Sequence, residues 1–122
     1  MKNIVILLVI FLFSPASFSA DVGVQLKTKS TNEEIIDVFD QAVHLLGSNA
    51  AGSNSTHSAV KGPNLATVAI SGKRNNRLVT VQVTKVDNIF GFFGENPQSF
   101  LDNIVLKMKE RIDDLEVVPM NQ

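Results

Sequence analysis

The sequence has no cysteine. That excludes a disulfide framework, a thiol nucleophile and the lipid-bearing Cys of an anchored lipoprotein. A small secreted chain of this kind must be held by packing and hydrogen bonds alone. Histidine is nearly absent as well, with only His44 and His57. Neither an HExxH helix nor clustered Cys/His spacing is present, so no metal motif is read and no cofactor is expected. An excess of one charge sign is also missing, with Lys+Arg at 11 against Asp+Glu at 12. That balance does not point to a binder of nucleic acid or of a membrane surface by bulk charge. A bilayer span takes about 20 apolar residues, and the longest unbroken run stops after Ile4 to Phe13.

What is present begins with that run. Lys2 supplies a positive start, the apolar stretch follows, and Ser14, Pro15, Ala16 and Ser17 break it. This is the pattern of a secretory signal peptide. Small residues at the positions one and three before the cut favour cleavage after Ser19, with Ala20 the alternative. Residues 1–19 are therefore expected to be a leader and residues 20–122 a single exported domain. Export would place it in the periplasm or outside the cell, with no stable membrane insertion once the leader is removed. Loss of Lys2 leaves 10 basic residues against 12 acidic ones, a net charge of −2.

Within the domain, Val22, Val24 and Leu26 alternate with Gly23, Gln25 and Lys27, which predicts a half-buried strand. Thr31 followed by Glu34 forms a capping-box start. Ile35, Ile36, Phe39, Ala42, Val43 and Leu46 then make the apolar stripe of a helix that Gly47 ends. Residues 48–64, rich in Ser, Asn, Gly and Ala, show no apolar period and predict a flexible loop. Residues 65–71 and 78–86 alternate β-branched residues with polar ones and predict a hairpin. A two-residue turn at Asn75-Asn76 would set Ile70 opposite Val81 and Val68 opposite Val83. Asn96 and Pro97 open a second helix, with a stripe of Phe100, Leu101, Ile104, Val105, Met108 and Ile112. Residues 115–118 fit a last edge strand or a loose tail. The predicted fold class is α+β: a two-layer sandwich of one antiparallel sheet with both helices on one face. Its expected order is the split βαβ, or ferredoxin-like, β-α-β-β-α-(β).

No constellation of catalytic residues stands out, and an enzyme is not expected. Asp40 and His44 lie four apart, so a carboxylate could orient an imidazole on the helix surface, but no nucleophile is tied to them. Two groups suit a protein partner. Lys73, Arg74 and Arg77 flank the hairpin turn and form a basic tip, with no interleaved aromatics of the kind that stack on nucleic acid. Phe90, Phe92 and Phe93 sit beside Gly91 and Gly94. They either cap the open end of the core or present an exposed aromatic docking patch. Asp113, Asp114 and Glu116 read as a solvated helix end.

The run Gly91-Phe92-Phe93-Gly94-Glu95 and the helix after it resemble a family of small bacterial envelope lipoproteins of unknown function. The likeness covers residues 65–112. The chain departs from that family in having no lipid-bearing Cys, and in a stretch between Val86 and Gly91 too short for the family's extra strand. The resemblance implies an envelope-resident module and supplies no catalytic residue. The expectation is a small exported non-enzymatic binding or adaptor module with a protein partner in the cell envelope. The alternative is a secreted inhibitor or immunity-type protein that blocks an envelope enzyme.

Overall fold

A computed structural model describes residues 18–86 and 96–118. The element order is β1 (Phe18–Thr28), α1 (Asn32–Leu45), β2 (Ala50–Gly52), β3 (Thr56–Lys61), β4 (Asn64–Lys73), β5 (Asn76–Val86), α2 (Pro97–Lys109) and β6 (Glu116–Val117). The strands form one antiparallel sheet in the order β2-β3-β4-β5-β1-β6. Both helices pack on one face of it, giving the two-layer α+β sandwich that the apolar periods predict. The expected leader, residues 1–19, lies outside the described residues apart from its last two positions. The ladder from Asp21↔Thr84 to Thr28↔Arg77 runs beyond either expected cut.

Both helices start where the sequence says they should. The Thr31 hydroxyl accepts a hydrogen bond from Glu34 N at 3.1 Å, and the Asn96 side chain accepts one from Gln98 N at 2.8 Å. Each satisfies a donor that the first helical turn leaves open. Gly47, at φ 96, supplies the left-handed stop after α1. The core joins Ile35, Phe39 and Val43 of α1 with Phe100, Ile104 and Met108 of α2, over Val68, Val79, Val81 and Val83 of the sheet. Val38 joins the α1 face as well, while Ile36 and Leu46 are only half-buried.

Three expectations need correction. The first is the flexible loop at residues 48–64, which holds β2 and β3 and adds two strands to the sheet edge. Periodicity misses them because Ala59 is the only one of their apolar residues to be fully buried. Backbone and polar contacts hold the hairpin in place. β3 pairs along its length with β4, from Thr56↔Ala69 to Lys61↔Asn64. The buried Ser48 hydroxyl donates to Val60 O at 2.6 Å. Gly52 is needed where the chain turns, since a Cβ there would stand 2.1 Å from Thr56 O. The second correction follows from the first: the split βαβ order is interrupted by this extra hairpin between α1 and β4.

The third correction is the β4–β5 register. The strands reach Lys73↔Asn76, so the turn centres on Arg74-Asn75, with Asn75 at φ 66. Ile70 therefore meets Val79 and Val68 meets Val81. A shift of two residues keeps every side chain on its own face, so the apolar pattern fits both registers equally well. The choice falls to the turn, where Gly72 (φ 92) and Asn75 take the left-handed conformations. The final strand is only Glu116–Val117, and Leu115 is buried beneath the sheet end.

Candidate functional site

The corrected register divides the basic tip. Arg77 stands opposite Gly72 on one side and Thr28 on the other, on the same sheet face as Val79 and Val81. Its side chain therefore runs toward the helices. Arg77 Nε donates to the Asn32 side-chain oxygen, and Nη1 donates to Ser30 O at 3.2 Å. Asn32 in turn donates to Asn54 O at 3.3 Å. Arg77 thus ties the β1–α1 turn to two hairpin tips and is taken up structurally. Lys73 and Arg74 remain exposed at the tip. Phe90, Phe92 and Phe93 lie outside the described residues.

The structure also re-pairs the histidines. Asp40 does not meet His44. Its Oδ1 lies 2.8 Å from His57 Nδ1, and His44 Nδ1 lies 3.3 Å from Asn49 Oδ1. The reason is again parity. His57 pairs with Gly52 and Val68, so it points to the helix side of the sheet, where Asp40 of α1 reaches it. The ring is mostly covered, and the carboxylate is about a third exposed. A shallow depression of about 270 Å³ lies beside the pair, lined by Glu33, Asp37 and Ser53 among others. A carboxylate on one ring nitrogen is the orienting half of an acid–base dyad. Among the described residues no hydroxyl hydrogen-bonds the other half, and no three His, Asp or Glu residues stand close enough to hold a metal ion. What the pair does within the fold is clasp α1 to β3.

Asp114 is more than a solvated helix end. It accepts from the Thr28 hydroxyl and from Lys29 N at 2.8 Å, and these two donors hold its carboxyl below the usual carboxylate range. That pins the segment after α2 to the end of β1.

Among the described residues, the sheet face away from the helices is uncommitted. Its middle rows read Ser58–Thr67–Gln82–Gly23 and Thr56–Ala69–Thr80–Gln25 across β3, β4, β5 and β1. None of these residues carries a charge, and Ser58 and Thr67 are linked through their hydroxyls at 3.3 Å. Charged positions stand toward the rim, at Lys27 paired with Glu116, at Lys73 by the hairpin tip and at Asp21 on the β1 edge. Val60, 64% exposed, lies on this face opposite Leu65. Among the described residues no element covers it. The sequence shows only that alternate positions are polar. It does not show that the polar set omits charge, because that becomes visible once β3 joins the sheet.

Among the described residues no helix is long and apolar enough to cross a membrane. Comparison with protein-family models and with curated proteins gave no match, so the functional reading rests on the geometry.

Proposed function

We propose that this chain is a small exported, non-enzymatic binding module of the bacterial cell envelope, and that it takes a protein partner on the open face of its sheet. The observation that carries this reading is the distribution of charge on that face. A protein interface is depleted of charge at its centre and polar at its rim. The rows through Thr67 and Thr80 have that character, with Lys73, Lys27 and Glu116 around them. The solvated face of an antiparallel sheet is polar, and here the middle rows of that face are polar without charge. Nucleic acid is a poor fit, because the exposed basic groups at the tip reduce to Lys73 and Arg74 once Arg77 is engaged. The envelope setting is supported by the leader pattern at the N-terminus.

The test is to place a charge in the middle of the face. Thr80→Arg points outward and leaves the core untouched, so its thermal melt should match wild type. In affinity capture from envelope extracts it should lose the partner that wild type retains. Arg74→Glu, at the rim, should weaken capture and change its salt dependence without abolishing it. Equal recovery of the same proteins by wild type and Thr80→Arg would sink this reading.

A further inference from the structure

Between β1 and α1 the chain runs Thr28-Lys29-Ser30-Thr31-Asn32, a turn made almost wholly of hydroxyl and amide residues. Such side chains bond readily to nearby backbone and to one another. Two opposite charges grip this turn. Asp114, in the segment after α2, accepts from the buried Thr28 hydroxyl and from Lys29 N at 2.8 Å. Arg77, opposite Thr28 in the β1–β5 ladder, donates from Nε to the Asn32 side-chain oxygen and from Nη1 to Ser30 O at 3.2 Å. The carboxylate takes donors of the turn and the guanidinium takes its acceptors. The two charges hold the turn, not each other.

These contacts join into one chain. Ser30 N donates to Thr28 Oγ1 at 3.1 Å, so that hydroxyl accepts from the turn while it donates to Asp114. Asn32 accepts from Arg77 on its side-chain oxygen and donates from its side-chain nitrogen to Asn54 O at 3.3 Å. Each link polarises the next: a hydroxyl that gives to an anion accepts better, and an amide that accepts from a cation donates better. The path runs from Asp114 through Thr28, Ser30, Arg77 and Asn32 to Asn54. One end is the segment between α2 and β6. The other is the closed tip of β2–β3, where Ser53 N donates to Thr56 O and Ile70 N to Ser55 O, both at 2.8 Å.

We propose that this polar relay is a conformational device, coupling the opening of the β2–β3 hairpin to Asp114, whose own hydrogen bonds go to neither strand. A line of contacts is not enough for coupling, which needs an element with two arrangements. The hairpin is that element. It is short, Ala59 is its only fully buried apolar side chain, and polar contacts hold it to α1 and to the β1–α1 turn. Its local opening therefore lies toward the low end of the domain's free energies. The device bears on the open sheet face, because β3 supplies Thr56 and Ser58 to it. With the relay intact that face is complete. With the relay broken its β3 side opens more often. The coupling is reciprocal, so whatever holds β3 closed also firms the Asp114 end. The inference is independent of the proposed binding role, because amide exchange reads the one and partner capture reads the other.

The experiment is hydrogen exchange on the full chain, read residue by residue in wild type, Asp114→Asn, Asn32→Ala and the double variant. Asp114→Asn should speed exchange at residues 28–32 and also at residues 53–61, the latter by about threefold or more. Val79, Val81 and Val83 should keep their wild-type rates. Asn32→Ala cuts the path before Asn54, so in that background Asp114→Asn should no longer change residues 53–61. Asp113→Asn removes the neighbouring carboxylate, which takes part in none of these contacts, and should leave the hairpin unchanged. Faster exchange confined to residues 28–32 in Asp114→Asn would overturn the inference and reduce Asp114 to a local clasp. An equal rise at Val79, Val81 and Val83 would overturn it too, since the domain would then be opening as one unit. So would an unchanged effect of Asp114→Asn on residues 53–61 in the Asn32→Ala background.

Discussion

The two hairpins of the sheet are built from different materials. β4–β5 is long, rich in β-branched residues, and buries Ala66, Val68, Ile70, Val79, Val81 and Val83 under the helices. β2–β3 is short and made of small and polar residues, and Ala59 is its only fully buried apolar side chain. The first is held by burial. The second is held by its ladder to β4 and by polar contacts: Ser48 to Val60 O, Asn32 to Asn54 O, Asp40 to His57 and Ser58 to Thr67. Burial leaves a periodic mark in a sequence, and hydrogen bonds between distant residues do not. Units held in these two ways are also expected to open at different free energies, the polar one first.

Three changes test that contrast. The largest effect is expected in β4. Ile70→Ala should cost about 2–5 kcal/mol, read as a lower urea midpoint, because it leaves a cavity in the core beneath the helical layer. A midpoint equal to wild type would mean the core does not rest on this hairpin. Gly52→Ala comes next. A Cβ 2.1 Å from Thr56 O forces the β2–β3 turn apart, at a cost of about 1–3 kcal/mol. Hydrogen exchange should speed up in residues 50–61 while the β4–β5 amides stay protected. Faster exchange throughout the sheet would show that the two hairpins open as one unit.

The smallest effect concerns Asp114, which lies outside both hairpins and calibrates what a single polar clasp contributes. Its carboxyl is held below the usual range by Thr28 and Lys29 N. A carboxyl with a depressed folded value adds stability that is complete above its unfolded value and is lost as pH falls through the folded one. Asp114→Asn should therefore lower stability slightly at neutral pH and reduce the loss seen on acidification. Parallel melting curves for wild type and variant across the acid range would show that the clasp contributes nothing.

The sequence makes the fold class readable where burial is strong. Both helix starts, both apolar stripes and the existence of β4–β5 follow from capping residues and periods of 3.6 and 2. The register of β4–β5 does not, because Ile70 finds a valine on the correct face in either alignment and only the turn decides. The candidate surfaces are less legible. Arg77 reads as part of a basic tip until the register sends it inward to Ser30 and Asn32. His57 reads as a loop residue until β3 is known to be a strand. His44, with an acid one turn earlier, reads as the better partner for Asp40. In each case the deciding fact is which residue lies opposite in a neighbouring strand, information that no local window contains.

The position of β1 has a kinetic consequence. It is the first element of the domain to be synthesised, and its inner neighbour is β5, with Val24 meeting Val81. Its outer neighbour, β6, comes later still. The intervening hairpins need only local contacts, but β1 cannot pair until most of the chain has been made and the long loop through α1 and three strands has closed. Pairings between residues distant in sequence slow folding. Under the proposed export, in which the chain would cross the membrane unfolded, its leading strand has no partner to commit to until nearly the whole domain has emerged.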